Sequence, residues 1–191
     1  MTTPSARRVT SVGLVMALVW GLSATAHTGA HATTVTPPTE LAAAPAALGL
    51  RGRSTMTFLG MSIYEARLWR PPGFELARYT QYPFALELEY KRGLSGKHIA
   101  ESSLSEMKRQ PAFSTERSDD WLARMARLFP DVKAGDRITG LHLPGVGARF
   151  AVNGQWAGEV ADPAFSPLFF GIWLSPQTSE PALRCALAVC P

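Results

Sequence analysis

The sequence predicts an α+β protein: an antiparallel sheet with helices gathered on one of its faces. Phe84–Tyr90 (FALELEY) alternates apolar and polar residues, the period of a strand with one wet face. Near the C-terminal end, Asn153-Gly154 separates two further short runs, and Asn-Gly is the strongest short-range hairpin signal because both residues tolerate positive φ. The order of elements is strands, two helices, strands, helices. That order gives segregated layers, where a regular βα alternation would give a parallel sheet.

Taken in order, the chain opens with Arg7 and Arg8, then the apolar run Val12–Leu22, then small-residue patterns at Ala24-Thr25-Ala26 and Ala30-His31-Ala32. This is the layout of a secretory signal peptide over residues 1–32, with an uncleaved anchor as the alternative. Removal of that segment takes two of the 19 basic residues and none of the 15 acidic ones, leaving a balance close to neutral. With no dense Lys/Arg run in the remainder, no nucleic-acid partner is expected. After cleavage no stable membrane span is expected either, and export places the protein in the periplasm or outside the cell. Residues 33–47 are rich in Thr, Pro and Ala and read as a flexible lead-in. One domain, 48–191, follows.

That domain starts strand-like. Thr55–Ile63 and Ile63–Trp69 interleave bulky with small or polar residues, Gly60 marks a bend or bulge, and Pro71-Pro72-Gly73 ends the pair. After Phe84–Tyr90, Ser95 is the expected cap of a helix Gly96–Gln110 with Ile99, Leu104 and Met107 inward. Ser118 is the expected cap of a second helix, Asp119–Phe129, whose Trp121, Leu122, Met125, Leu128 and Phe129 recur at helical spacing. Pro130 stops it. Asp136–Leu143, Ala148–Val152 and Gln155–Val160 are three more strands. Asp162-Pro163 then reads as an N-cap with Pro at the first helical position, opening a short, buried aromatic helix over residues 164–174. Ser179–Val189 is expected as a last helix.

Chemistry-bearing residues are few. His98 and His142 are the only histidines beyond residue 32, and two lone histidines make a poor metal argument, so no metal or other cofactor is expected. His98 reads as solvated, His142 as a strand residue. No nucleophile elbow, phosphate loop or dinucleotide fingerprint occurs. Asp119 and Asp120 suit a helix N-terminus better than acid–base work, and Ser102-Ser103 lacks a base. Cys185 and Cys190 read equally as a small-loop disulfide or as two free thiols. The remaining candidates are Arg51, Arg53 and Tyr64: a guanidinium fork beside a phenol can grip a carboxylate or phenolate at the mouth of an apolar cleft. The alternative is that both arginines face solvent.

The stretches Phe58–Trp69 (FLGMSIYEARLW), Val132–Asp136 (VKAGD), Asn153-Gly154 and Phe169–Leu174 (FFGIWL) together resemble the bacterial chalcone isomerase-like family, over about Leu48 to Leu187. The resemblance implies an open-faced β-sandwich, a large antiparallel sheet covered by helices. It implies two functions. In plant chalcone isomerases an Arg steadies a phenolate while Thr, Tyr, Lys and Asn hold the ketone end. Arg51 matches that Arg, with Arg53 as the competing alignment and Thr55 or Thr57 near the strand Thr. The helical Tyr-x-x-Lys-x-x-x-Asn portion has no counterpart here. In a second branch, which binds fatty acids, an Arg and a Tyr hold the carboxylate, and Arg51 and Tyr64 are the equivalents. The expectation is a non-catalytic binder of a small amphipathic or phenolic ligand, using Arg51, Tyr64, Arg53 and Thr57. An intramolecular lyase of the chalcone type and a non-binding envelope protein are the alternatives.

Overall fold

The computed structural model describes residues 36–188 and residue 190. The signal segment, the first residues of the lead-in and Val189 lie outside the described residues. Six strands form one sheet in chain order: β1 (Gly49–Phe58), β2 (Met61–Arg70), β3 (Phe84–Tyr90), β4 (Arg137–Leu143), β5 (Gly147–Val152) and β6 (Gln155–Val160). Every neighbouring pair is antiparallel. The expected sheet is thus present, but its first hairpin turns at Leu59-Gly60. A single strand does not run through to Ile63, because Phe58 pairs with Met61 across the turn. Asn153 and Gly154 both take positive φ (49° and 84°), as their hairpin requires.

Among the described residues four α-helices cover one face: α1 (Gly96–Met107), α2 (Ser118–Leu128), α3 (Phe165–Leu174) and α4 (Pro181–Ala188). Ser95 caps α1 as expected, its side chain accepting from the His98 N–H. Ser118 does not cap α2. The helix is led in by one 3-10 turn, Thr115–Arg117, which Ser114 caps instead, leaving the Ser118 hydroxyl buried without a partner. Asp162 serves α3 from further back than expected: its Oδ1 accepts from the Ala164 N–H at 2.9 Å, while Oδ2 accepts from the Trp121 indole.

The main core lies between sheet and helices. Phe84, Leu86, Leu88 and Tyr90 of β3 all point into it, as their alternation predicts, and α3 contributes Phe165, Leu168, Phe169, Phe170, Trp173 and Leu174. Two glycines let helices approach the sheet. A Cβ at Gly140 would stand 3.0 Å from the Phe170 ring, and one at Gly52 would stand 1.8 Å from the Leu187 carbonyl oxygen of α4.

The opposite face is not simply wet. Residues 39–43 form a 3-10 turn whose Leu41 packs on Trp69, Ala85 and Leu141. Beside them Glu87 is 1 % exposed, accepting from the Trp69 indole (2.9 Å) and from Arg67 and Arg137 (3.2 Å each). Glu40 is buried too and accepts from the Thr139 hydroxyl at 2.7 Å. Cys185 and Cys190 are joined in a disulfide.

Candidate ligand-binding site

Where the β1–β2 hairpin extends beyond α4, the helical layer leaves a gap, and a cavity of about 620 Å³ opens there. Its floor is Leu88, Tyr90 and Ile138 from the sheet. Phe129, Phe169, Ile172 and Trp173 close it from the helical side. One face of α1 forms a third wall. His98, Ser102 and Glu106, spaced by four, line up with Ile99 and Ser103. At about 1.5 Å per residue, His98 and Glu106 stand roughly 12 Å apart along the helix. The cavity is therefore elongated, with different chemistry at its two ends.

At one end is Tyr64. Its oxygen accepts from the Trp173 indole N–H at 3.0 Å, and its ring meets Tyr90 edge-on at 6.1 Å. Burial pushes the phenol up to about 12; the indole bond pulls the other way, and the charges of Glu180 and Glu106 push it further up. It is a neutral hydroxyl at any physiological pH. Glu106 Oε2 is buried without a hydrogen-bond partner, Arg109 Nε standing 3.6 Å away. At the other end the mouth carries Arg92 and His98, both exposed, and the apolar ring of Phe58.

Of the four residues the sequence nominates, the cavity wall contains Tyr64 alone. Arg51 is the extra residue where the β1 register shifts between Leu50 and Gly52, and it is exposed. It stands five residues from Met56, the partner of Tyr64. At about 3.3 Å per residue that is roughly 16 Å along the strand. Arg53 pairs with Arg67, whose guanidinium bonds Glu65, Glu87 and Glu89 on the face away from the helices, so Arg53 lies on that far face as well. Thr57 follows a second register shift and is exposed. The expected guanidinium–phenol pair does not form. The cation at the cavity is Arg92, just past β3, where no pattern in the sequence singles it out. The row His98, Ser102, Glu106 is legible as one helical face, but nothing in the sequence says that this face borders a gap. His142 is buried in the sheet, far from this chemistry, with Nδ1 against the Ser166 hydroxyl and Nε2 against the Thr80 carbonyl. Among the described residues no three His, Cys, Asp or Glu side chains come together as a metal site, and no helix is long and apolar enough to cross a membrane.

A six-stranded antiparallel meander, helices on one face and an elongated apolar cavity between the layers define an open-faced sandwich with an internal site. Residues 29–187 match the family model described as chalcone isomerase-like, and the chain belongs to that family. An uncharacterized protein of Haemophilus influenzae is 25 % identical over 128 residues, 67 % of this chain; the chain spans only 61 % of that protein's length. The crystal structure of the Arabidopsis thaliana fatty-acid binding protein AtFAP1 superposes with a TM-score of 0.58 at 12 % identity, covering 74 % of this chain and 87 % of the other. That likeness is one of fold.

Proposed function

We propose that this is an exported, non-catalytic binding protein for an elongated amphipathic acid, of the fatty-acid type. The observation that carries the reading is the cavity. Its 620 Å³ falls within the roughly 300–1,000 Å³ of small-molecule sites, and its floor and two of its walls are aliphatic and aromatic, facing one polar row on α1. The fatty-acid binding title of AtFAP1 is in keeping with it. Export is supported by the arginine pair, apolar run and small-residue pattern of residues 7–32.

The polarity of the site sets the direction of the ligand. A carboxylate beside Tyr64 would meet the like charges of Glu106 and Glu180, whereas at the mouth Arg92 offers a permanent cation. The acid head therefore sits at Arg92 and the tail runs inward toward Trp173. Absence of catalysis is supported by the same arrangement. A chalcone cyclase needs preorganised donors on both the phenolate and the ketone, and Arg51 and Arg53 stand outside the cavity.

Native mass spectrometry of the purified chain should find co-purifying acyl lipid. Arg92→Gln should weaken binding of a long-chain fatty acid about tenfold, the loss of one charge-assisted bond. It should leave the alcohol of the same chain length unaffected. A protein that takes up neither ligand sinks the reading. Acceleration of chalcone ring closure above the spontaneous rate, followed by the loss of the chalcone absorbance, sinks the non-catalytic part alone.

A further inference from the structure

The chain builds two two-residue hairpin turns with nearly the same backbone. At one, Asn153 and Gly154 take φ of 49° and 84°; at the other, Leu59 and Gly60 take 49° and 77°. The left-handed conformation is easy for Asn and strained for Leu, so the residue at position 59 works against the turn it makes. It also works against water. Leu59 is 81 % exposed and its neighbours Phe58 and Met61 are 59 % and 45 % exposed, a contiguous apolar tip.

What surrounds the tip indicates what covers it. Arg92 donates to Met61 Sδ at 3.0 Å and pairs with no carboxylate among the described residues, while nearby Lys91 and Lys97 are paired with Glu89 and Glu101. A guanidinium with no carboxylate partner among the described residues, flanking an exposed aromatic and aliphatic tip, fits an anionic phospholipid surface, the charge meeting phosphate and the apolar side chains entering the acyl boundary. Phe58 and Arg92 also line the mouth of the cavity, so the tip and the doorway are continuous.

We propose that the β1–β2 hairpin tip is a wedge that docks this protein on anionic phospholipid bilayers and brings the cavity mouth to the lipid surface. Docking is measured on ligand-free protein, so it stands or falls apart from the nature of the ligand. Wild-type, Leu59→Asn and Arg92→Gln chains in the exported form, without residues 1–32, are partitioned between buffer and phosphatidylcholine vesicles with or without phosphatidylglycerol. Leu59→Asn should lower partitioning onto anionic vesicles about tenfold. Its thermal midpoint should rise, since Asn relieves the turn. Arg92→Gln should lower partitioning about fivefold, on anionic vesicles only. Equal partitioning of Leu59→Asn and wild type overturns the proposal. So does a joint fall in binding and thermal midpoint, which would make the tip a structural element, and so does self-association of wild type that Leu59→Asn abolishes, which would make a second copy the occupant. Leu59 lies outside the cavity wall, so fatty-acid binding by Leu59→Asn in vesicle-free buffer separates failure here from failure of the binding reading.

Discussion

Tyr64 shows what a single buried hydroxyl does for this site. Its oxygen is the acceptor for the Trp173 indole, and that bond ties the first hairpin to α3 across the cavity. Tyr64→Phe leaves a buried N–H without an acceptor, which costs about 1–3 kcal/mol. Thermal unfolding at neutral pH should register that loss, and an unchanged midpoint would show that the cavity supplies another acceptor. The same variant has a spectroscopic signature. In alkaline titration the phenolate absorbance component near pH 12, which Tyr64 shares with Tyr79, should shrink by the share of one phenol. Tyr64 as a candidate is legible in the sequence, as a phenol among apolar strand residues, and it lies on the cavity wall. The position of its partner is not legible. Arg51 and Arg53 are separated from Tyr64 by a bulge and by strand parity, and register slips of one residue leave no mark in composition.

At the scale of elements, the alternation of β3 reports direction faithfully and environment only in part. Phe84, Leu86, Leu88 and Tyr90 face the helices as the pattern requires, yet Glu87, on the side read as wet, is 1 % exposed. Alternation tells which face a residue takes. What covers that face comes from elsewhere in the chain: Trp69 and Arg67 from β2, Arg137 from β4, and the 39–43 turn from a stretch that reads as a lead-in. For the same reason the helices themselves were legible while Ser118 as a cap was not, since Ser114 lies one short turn upstream and takes the role. Glu87→Leu tests how much this covered face matters. It removes the acceptor of a buried indole and of two guanidinium groups, and breaking such a buried network by deleting one partner costs about 3–5 kcal/mol. Arg67 keeps Glu65 and Glu89, so the lower end of that range is expected in urea unfolding. A loss below 1 kcal/mol would mean the far face is solvated in solution.

For the whole molecule, the buried titratable groups define a pH window of stability. His142 is wedged between Phe84 (4.9 Å between ring centroids) and Phe170 (5.7 Å). Burial lowers its pKa from the ordinary 6.5, the Thr80 carbonyl bond only partly opposing that. With Nε2–H donating to Thr80, Nδ1 is the acceptor of the Ser166 hydroxyl, so the fold holds the neutral ring. The unfolded chain binds this proton more readily, and stability falls as pH drops below about 6.5. Asp162 acts lower. Burial would raise its pKa, but the Trp121 indole, the Ala164 amide and Arg117 outweigh it, so its contribution is lost only as pH falls below the ordinary 3.8. At the alkaline end Tyr64 and Tyr79 are both pushed up to about 12 by burial, and Tyr90 is raised as well. Here the unfolded chain gives up its protons first, near 10, so stability is intact below that pH and declines as pH rises toward 12. Urea midpoints should therefore form a plateau between about 6.5 and 10, with His142 setting the acid shoulder. His142→Gln should lower the plateau while flattening the slope between pH 6.5 and 5. If that slope survives the substitution unchanged, the shoulder belongs to carboxylates and the buried imidazole is not what limits this fold in mild acid.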